Sequence, residues 1–92
     1  MKAIDYVRKG WTQGKFALDK NGWPELSTSP FAVCWCAVGA INAAYDHTSQ
    51  NEYNEACNKL ELVIGQQDIT KWNDNPSRTH EEVIEAFERA GI

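Results

Sequence analysis

The sequence predicts a mainly α fold: about four helices around a buried central helix, with a short β-hairpin near the N-terminus. Three observations carry that prediction. Apolar side chains recur at helical spacing over residues 53–64 and 83–90. Residues 30–46 are apolar on nearly every helical face, the pattern of a helix buried all round. Asn21-Gly22, a strong turn signal, separates two short candidate strands. Ninety-two residues hold one core, so the whole chain, 1–92, reads as a single domain.

The elements follow in order. Residues 2–9 fit a short helix with Ile4 and Val7 on one side and Gly10 as its stop. Residues 15–18 and 23–26 fit the two hairpin arms, and Pro24 confines the second to an edge. Ser29 as cap and Pro30 at the first helical position predict that the central helix begins there and runs to about residue 46. Its Cys36, Ala40, Ala43, Ala44 side, with Gly39, is narrow enough for a second helix to approach closely.

Ser49 and Glu52 have capping-box spacing, opening a helix to about Ile64. Tyr53, Ala56, Cys57, Leu60, Val63 and Ile64 form its apolar stripe, and Gly65 ends it. Residues 66–78 read as a connector anchored by Trp72. Thr79 and Glu82 make a second capping box, opening a helix with Val83, Ile84, Phe87 and Ala90 on its inner side. The ten aromatic residues, including Phe16, Trp23 and Phe31, are candidates for a core that needs bulk.

Composition excludes several classes. Hydrophobic residues make up 42% of the chain and four Trp are present, which excludes disorder. A net charge of −4 excludes nucleic-acid binding through general basicity. The charge is uneven: about +1 over residues 1–46 and −5 over residues 47–92. Three Cys are too few and too odd for a disulfide scaffold, so a reducing, cytoplasmic setting is expected. The N-terminal residues lack a leader pattern, and the longest apolar run, 31–41, is too short for a bilayer, so no membrane contact is expected.

Four constellations could carry chemistry. Cys34 or Cys36 could serve as a nucleophile with His47 or His80 as base, in a hydrolase or transferase. Cys34-Trp35 before Ala37-Val38-Gly39-Ala40 resembles the active-site helix of papain-like proteases, without the upstream Gln-Gly oxyanion segment. The plainer reading makes both Cys packing residues. A metal site is not expected, because Cys-x-Cys on a helix points its thiols about 200° apart, and no cofactor motif is present.

The third constellation is Trp11, Thr12, Gln13, Trp72, Asn73, Asp74 and Arg78, each beside a Trp or a turn. It fits either the rim of a small-ligand pocket or plain turn chemistry, with Asp74 and Arg78 placed to pair across the turn. The fourth is the acidic C-terminal half, above all Glu81, Glu85 and Glu88, which suits a basic protein partner or a solvated face.

Several segments carry a resemblance: Gly10-Trp11-Thr12-Gln13-Gly14, Ala17-x-Asp19-x-x-Gly22, Ser29-Pro30-x-Ala32-Val33-Cys34-Trp35-Cys36-Ala37-x-Gly39-Ala40, Trp72-Asn73-Asp74, and Arg78-Thr79-x-x-Glu82-Val83. Together they resemble a family of small bacterial and phage proteins classed as a domain of unknown function. The resemblance implies no catalytic residues. Its phage association implies an accessory protein that binds and inhibits a host protein, for instance one of antiviral defence. With the acidic half as the contact surface, the expected partner is a host protein with a basic surface, with no direct nucleic-acid contact.

Overall fold

The computed structural model describes residues 2–46 and 50–92. It is 53% helical. Among the described residues there are five helices: α1 (Ala3–Lys9), α2 (Ala37–Tyr45), α3 (Gln50–Ile64), α4 (Ile69–Asn73) and α5 (His80–Ala90). Three two-residue strands, β1 (Ala17–Leu18), β2 (Pro24–Glu25) and β3 (Cys34–Trp35), form an antiparallel sheet in the order β2-β1-β3.

Mainly α is therefore right in outline, while two details differ. The first is the sheet: the expected hairpin gains a third strand on the far side of β1. Ala17 lies opposite both Glu25 and Trp35, and Leu18 opposite both Pro24 and Cys34. Pro24 stands on the outer strand, where its missing N–H leaves no ladder bond unmade.

The second concerns the central helix. Ser29 does not cap a helix at Pro30. Its hydroxyl accepts from the Phe31 N–H at 3.1 Å and donates to Glu25 Oε1 at 2.6 Å, closing a turn. The Val33 N–H then donates to the Leu18 carbonyl at 2.9 Å, and the chain is extended through Cys34 and Trp35. The helix begins only after Cys36, whose sulfur caps it by accepting from the Gly39 N–H at 3.3 Å. Cys34 thus lies on a strand, and Cys36 is a helix cap rather than an interior residue.

A nine-residue α2 is too short for the other helices to surround. It packs on α1, α3 and α4, whereas α5 packs on α1 and α3. The helices α2, α1, α5 and α3 therefore close a ring. Its centre is filled by Val7, Ile41, Leu60, Val83 and Phe87, all fully buried and drawn from all four. The small-residue side of α2 admits no helix at Gly39. It admits the Phe16 backbone of the segment leading into β1.

Other elements are anchored by local chemistry. The Lys2 N–H donates to Asp5 Oδ2 at 2.9 Å, opening α1. The Thr79–Glu82 capping box is formed in both directions, at 2.9 and 3.2 Å. The proposed Ser49 cap lies outside the described residues. The 66–78 connector contains α4, capped by Asp68 Oδ1 accepting from the Lys71 N–H at 2.9 Å. Trp72 of α4 is buried as expected, but Phe16, Trp23 and Phe31 are exposed rather than in the core. No helix among the described residues is long and apolar enough to cross a membrane.

Candidate functional site

The residues singled out around Trp11 and Trp72 converge although about sixty positions separate them. Asn73 closes α4 and is fully buried. Its Oδ1 accepts from Trp11 Nε1 at 2.7 Å and from the Ala37 N–H at 3.0 Å. Its Nδ2 donates to the Thr12 carbonyl at 3.1 Å and to Asp74 Oδ1 at 3.0 Å. A carboxamide has two acceptor sites and two donor hydrogens, so this side chain is fully engaged.

The surrounding groups extend the clasp. Gln13 Nε2 donates to the carbonyls of Asn73 and Asn75 at 2.9 and 2.8 Å. Asp74 Oδ1 also accepts from the Gly14 N–H at 3.0 Å. The segment 11–14 is thereby fastened to the end of α4, and the Ala37 N–H at the start of α2 joins both.

Asp74 and Arg78 do not pair across the turn. Asp74 faces Gly14 and Asn73. Arg78 Nε donates to the Trp72 carbonyl at 3.0 Å, its guanidinium stacks 4.2 Å above the Trp72 ring, and its Nη1 lies 3.4 Å from Glu82 Oε2. The arginine seals one side of Trp72 while its charge stays near water.

A cleft of about 330 Å³ opens beside the clasp, lined by residues 14–17, Pro24, Glu25, Cys36, Thr70 and Asp74. Of the residues chosen from sequence, Cys36 and Asp74 reach it. Lys15, Glu25 and Thr70 were not singled out, since no local pattern marks them and only the tertiary fold brings them together.

Burial raises the pKa of all three thiols, which favours the neutral form. Burial pushes the Cys36 thiol up, outweighing the Gly39 and Val38 N–H groups that favour thiolate, and Asp74 adds to the rise. Burial likewise raises Cys34 against a backbone contact with Leu18. Burial raises Cys57, opposed by Tyr53 and reinforced by Glu61. All three cysteines are free thiols.

His80 hydrogen-bonds the Val7 carbonyl through Nε2, and its ring stacks on Trp11 with centroids 6.1 Å apart. The structure uses His80 to seat α5 on α1 and shows it bonded to neither Cys. His47, the other candidate base, lies outside the described residues. Among the described residues, no group of three or more His, Cys, Asp or Glu side chains could hold a metal ion.

Two predictions arise here. Neutral Cys36 should alkylate far more slowly in the folded chain than in urea, and equal rates would mean that its burial is transient. The alkaline limb of stability should also be steep. Cys34, Cys36, Cys57 and Tyr53 all titrate higher folded than unfolded. Their contribution is complete below the unfolded thiol value of 9.0 and is lost as pH rises through the folded values. Urea midpoints at about pH 7 and about pH 10 measure it, and a flat profile would contradict it.

The acidic residues of α5 occupy its outer side, with Val83, Ala86 and Phe87 inward. Glu81, Glu82, Glu85 and Glu88 are all exposed. Glu88 pairs with Arg8 at 3.1 Å and Glu82 with Arg78, so part of this charge is answered within the chain. Such exposed pairs contribute only about 0–1 kcal/mol.

The fold and site define a class: a small, mainly helical domain with a three-strand sheet, held by a buried asparagine clasp, with thiols that burial keeps protonated. The chain belongs to the Family of unknown function (DUF6197), whose family model covers residues 1–91. No curated protein and no solved structure matches it.

Proposed function

We infer that the protein is a non-enzymatic binding module that engages a basic protein surface through the outer side of α5. The carrying observation is the exposed Glu81–Glu85 pair, one turn apart on that helix, with no intramolecular ion pair to either among the described residues. Two like charges at i, i+4 disfavour the isolated helix slightly. A cationic partner would turn that penalty into an attraction. The polar groups around Asn73 are engaged in holding the fold, which leaves the acidic side as the better-supported contact surface. The narrower form, a phage-like inhibitor of a host protein, rests on the sequence resemblance alone.

The test is affinity capture from bacterial lysate at low and high salt, with the natural chain and with Glu81→Lys/Glu85→Lys. These substitutions leave the Arg8 and Arg78 ion pairs in place. A partner held by the acidic side should be lost at high salt. It should bind the reversed chain at least ~100-fold more weakly, at about 1.5 kcal/mol or more per close charge pair. Capture that ignores the reversal, or no partner at low salt, would sink this reading.

A further inference from the structure

The cleft beside the clasp lies between the sheet and the end of α4, against the start of α2. Its volume of about 330 Å³ falls at the low end of the range for small-molecule sites, roughly 300–1,000 Å³. Three charged residues line it: Lys15, Glu25 and Asp74. Glu25 lies directly opposite Ala17 across the β1–β2 pairing, so both side chains leave the same side of the sheet, and Ala17 lines the cleft. Asp74 enters from the end of α4, close enough to Cys36 for its charge to act on that lining thiol.

Each carboxylate is held by one oxygen only. Glu25 Oε1 accepts from the Ser29 hydroxyl at 2.6 Å. Asp74 Oδ1 accepts from the Gly14 N–H and from Asn73 Nδ2, both at 3.0 Å. Among the described residues, Glu25 Oε2 and Asp74 Oδ2 accept no hydrogen bond, and Lys15, Glu25 and Asp74 make no ion pair. One lysine against two carboxylates leaves the lining at −1.

We propose that this cleft binds a small organic cation, an ammonium group carried on a short apolar body. The two unbonded carboxylate oxygens supply acceptors for the ammonium, and a single positive charge cancels the net charge of the lining. An anionic ligand would meet repulsion instead. A metal ion is a poor fit, because no group of three or more His, Cys, Asp or Glu among the described residues could hold one. Phe16, Ala17 and Pro24 give the lining an apolar part, which suits an organic body and not a hydrated ion. The site is separate from the outer side of α5: neither Glu81 nor Glu85 lines it, so failure of either reading leaves the other standing.

Amide NMR titration of the full chain at about pH 7 and low salt tests it, with phenethylamine, protonated at that pH, as the probe. Neutral 2-phenylethanol and anionic phenylacetate are the comparisons. The amides of Gly14, Lys15, Ala17 and Thr70 should shift and saturate with a Kd of about 1 mM or below. The alcohol should bind at least ~10-fold more weakly, and the acid more weakly still. Glu25→Gln with Asp74→Asn removes both charges yet keeps an accepting oxygen for Ser29, Gly14 and Asn73. It should lower the amine's affinity at least ~10-fold, with the amides remote from the cleft unmoved. Glu25→Gln alone, which leaves the Asn73 clasp untouched, should lower it at least ~3-fold. The proposal is overturned by the absence of a saturable shift at ten times that concentration, or by an alcohol that binds as tightly as the amine. It is equally overturned by an affinity that Glu25→Gln does not change.

Discussion

Gly39→Ala is expected to destabilise the domain by about 3 kcal/mol, although the position lies inside a helix where alanine is ordinarily preferred. In an exposed helix interior this replacement stabilises by roughly 0.5–1 kcal/mol. Here the added Cβ would lie 2.0 Å from the Phe16 carbonyl oxygen and 2.9 Å from its carbon. Both are backbone atoms, so no side chain can rotate away.

Relief requires α2 to move off the segment entering β1, and that movement strains two further contacts. The Cys36 N–H donates to the same Phe16 carbonyl at 3.1 Å, and the Gly39 N–H donates to the Cys36 sulfur. Steric cost outweighs propensity and reverses its sign. The melting temperature should fall by roughly 15 °C. Gly65→Ala is the control. Gly65 sits at φ +75° with open space around it, so only left-handed strain of about 1–2 kcal/mol applies. Urea titrations followed by Trp emission would rank the two. A Gly39→Ala midpoint at or above that of the natural chain would show that α2 and β1 are not in this contact.

That contact also shows why sequence reading succeeded in places and failed in others. The apolar stripe of α3 and the Thr79–Glu82 box were legible because both are local: spacing and capping need no distant partner. Residues 31–41 have no such signal. An apolar run without polar interruptions fits a buried strand as well as a buried helix, so the start was read from Ser29-Pro30. Pairing with Leu18 decided the matter, since β1 needs a partner on its second side and residues 33–35 supply it. The five residues of α4 are too few to show a 3.6-residue period. Phe16, Trp23 and Phe31 were taken for core because of their bulk. Hydrophobicity says what a side chain gains on burial, not whether the fold provides a place.

The site was legible as a set but not as an arrangement. Trp11, Gln13, Asn73 and Asp74 were grouped because each adjoins a Trp or a turn, which is a fact about neighbours in sequence. That Asn73 receives the Trp11 indole N–H is a fact about residues 62 apart. Nothing local encodes it. Asn73 also shows why a polar residue in such a set need not face a ligand: the chain itself fills all four of its hydrogen-bonding positions.

Asn73→Ala should therefore be the most damaging loss of a polar side chain, at about 3–4 kcal/mol. Removing the amide strands the Ala37 N–H in a fully buried setting and leaves Trp11 Nε1–H and the Thr12 carbonyl without their partner. A stranded buried group costs about 1–3 kcal/mol, and three are affected. Asn73→Asp separates this loss into its two halves. A carboxylate still accepts from Trp11 and Ala37, but it turns an acceptor toward the Thr12 carbonyl and toward Asp74. Burial and the Asp74 charge would hold its folded pKa above the unfolded value of about 3.9. Stability of Asn73→Asp should thus be greatest below that pH and decline as pH rises, whereas Asn73→Ala should lose the same amount at about pH 4 and about pH 7. Urea midpoints of both variants, each taken relative to the natural chain, make the measurement. An Asn73→Ala chain within about 1 kcal/mol of the natural one would mean that water replaces the amide and that the clasp does not hold the N-terminal segment to α4.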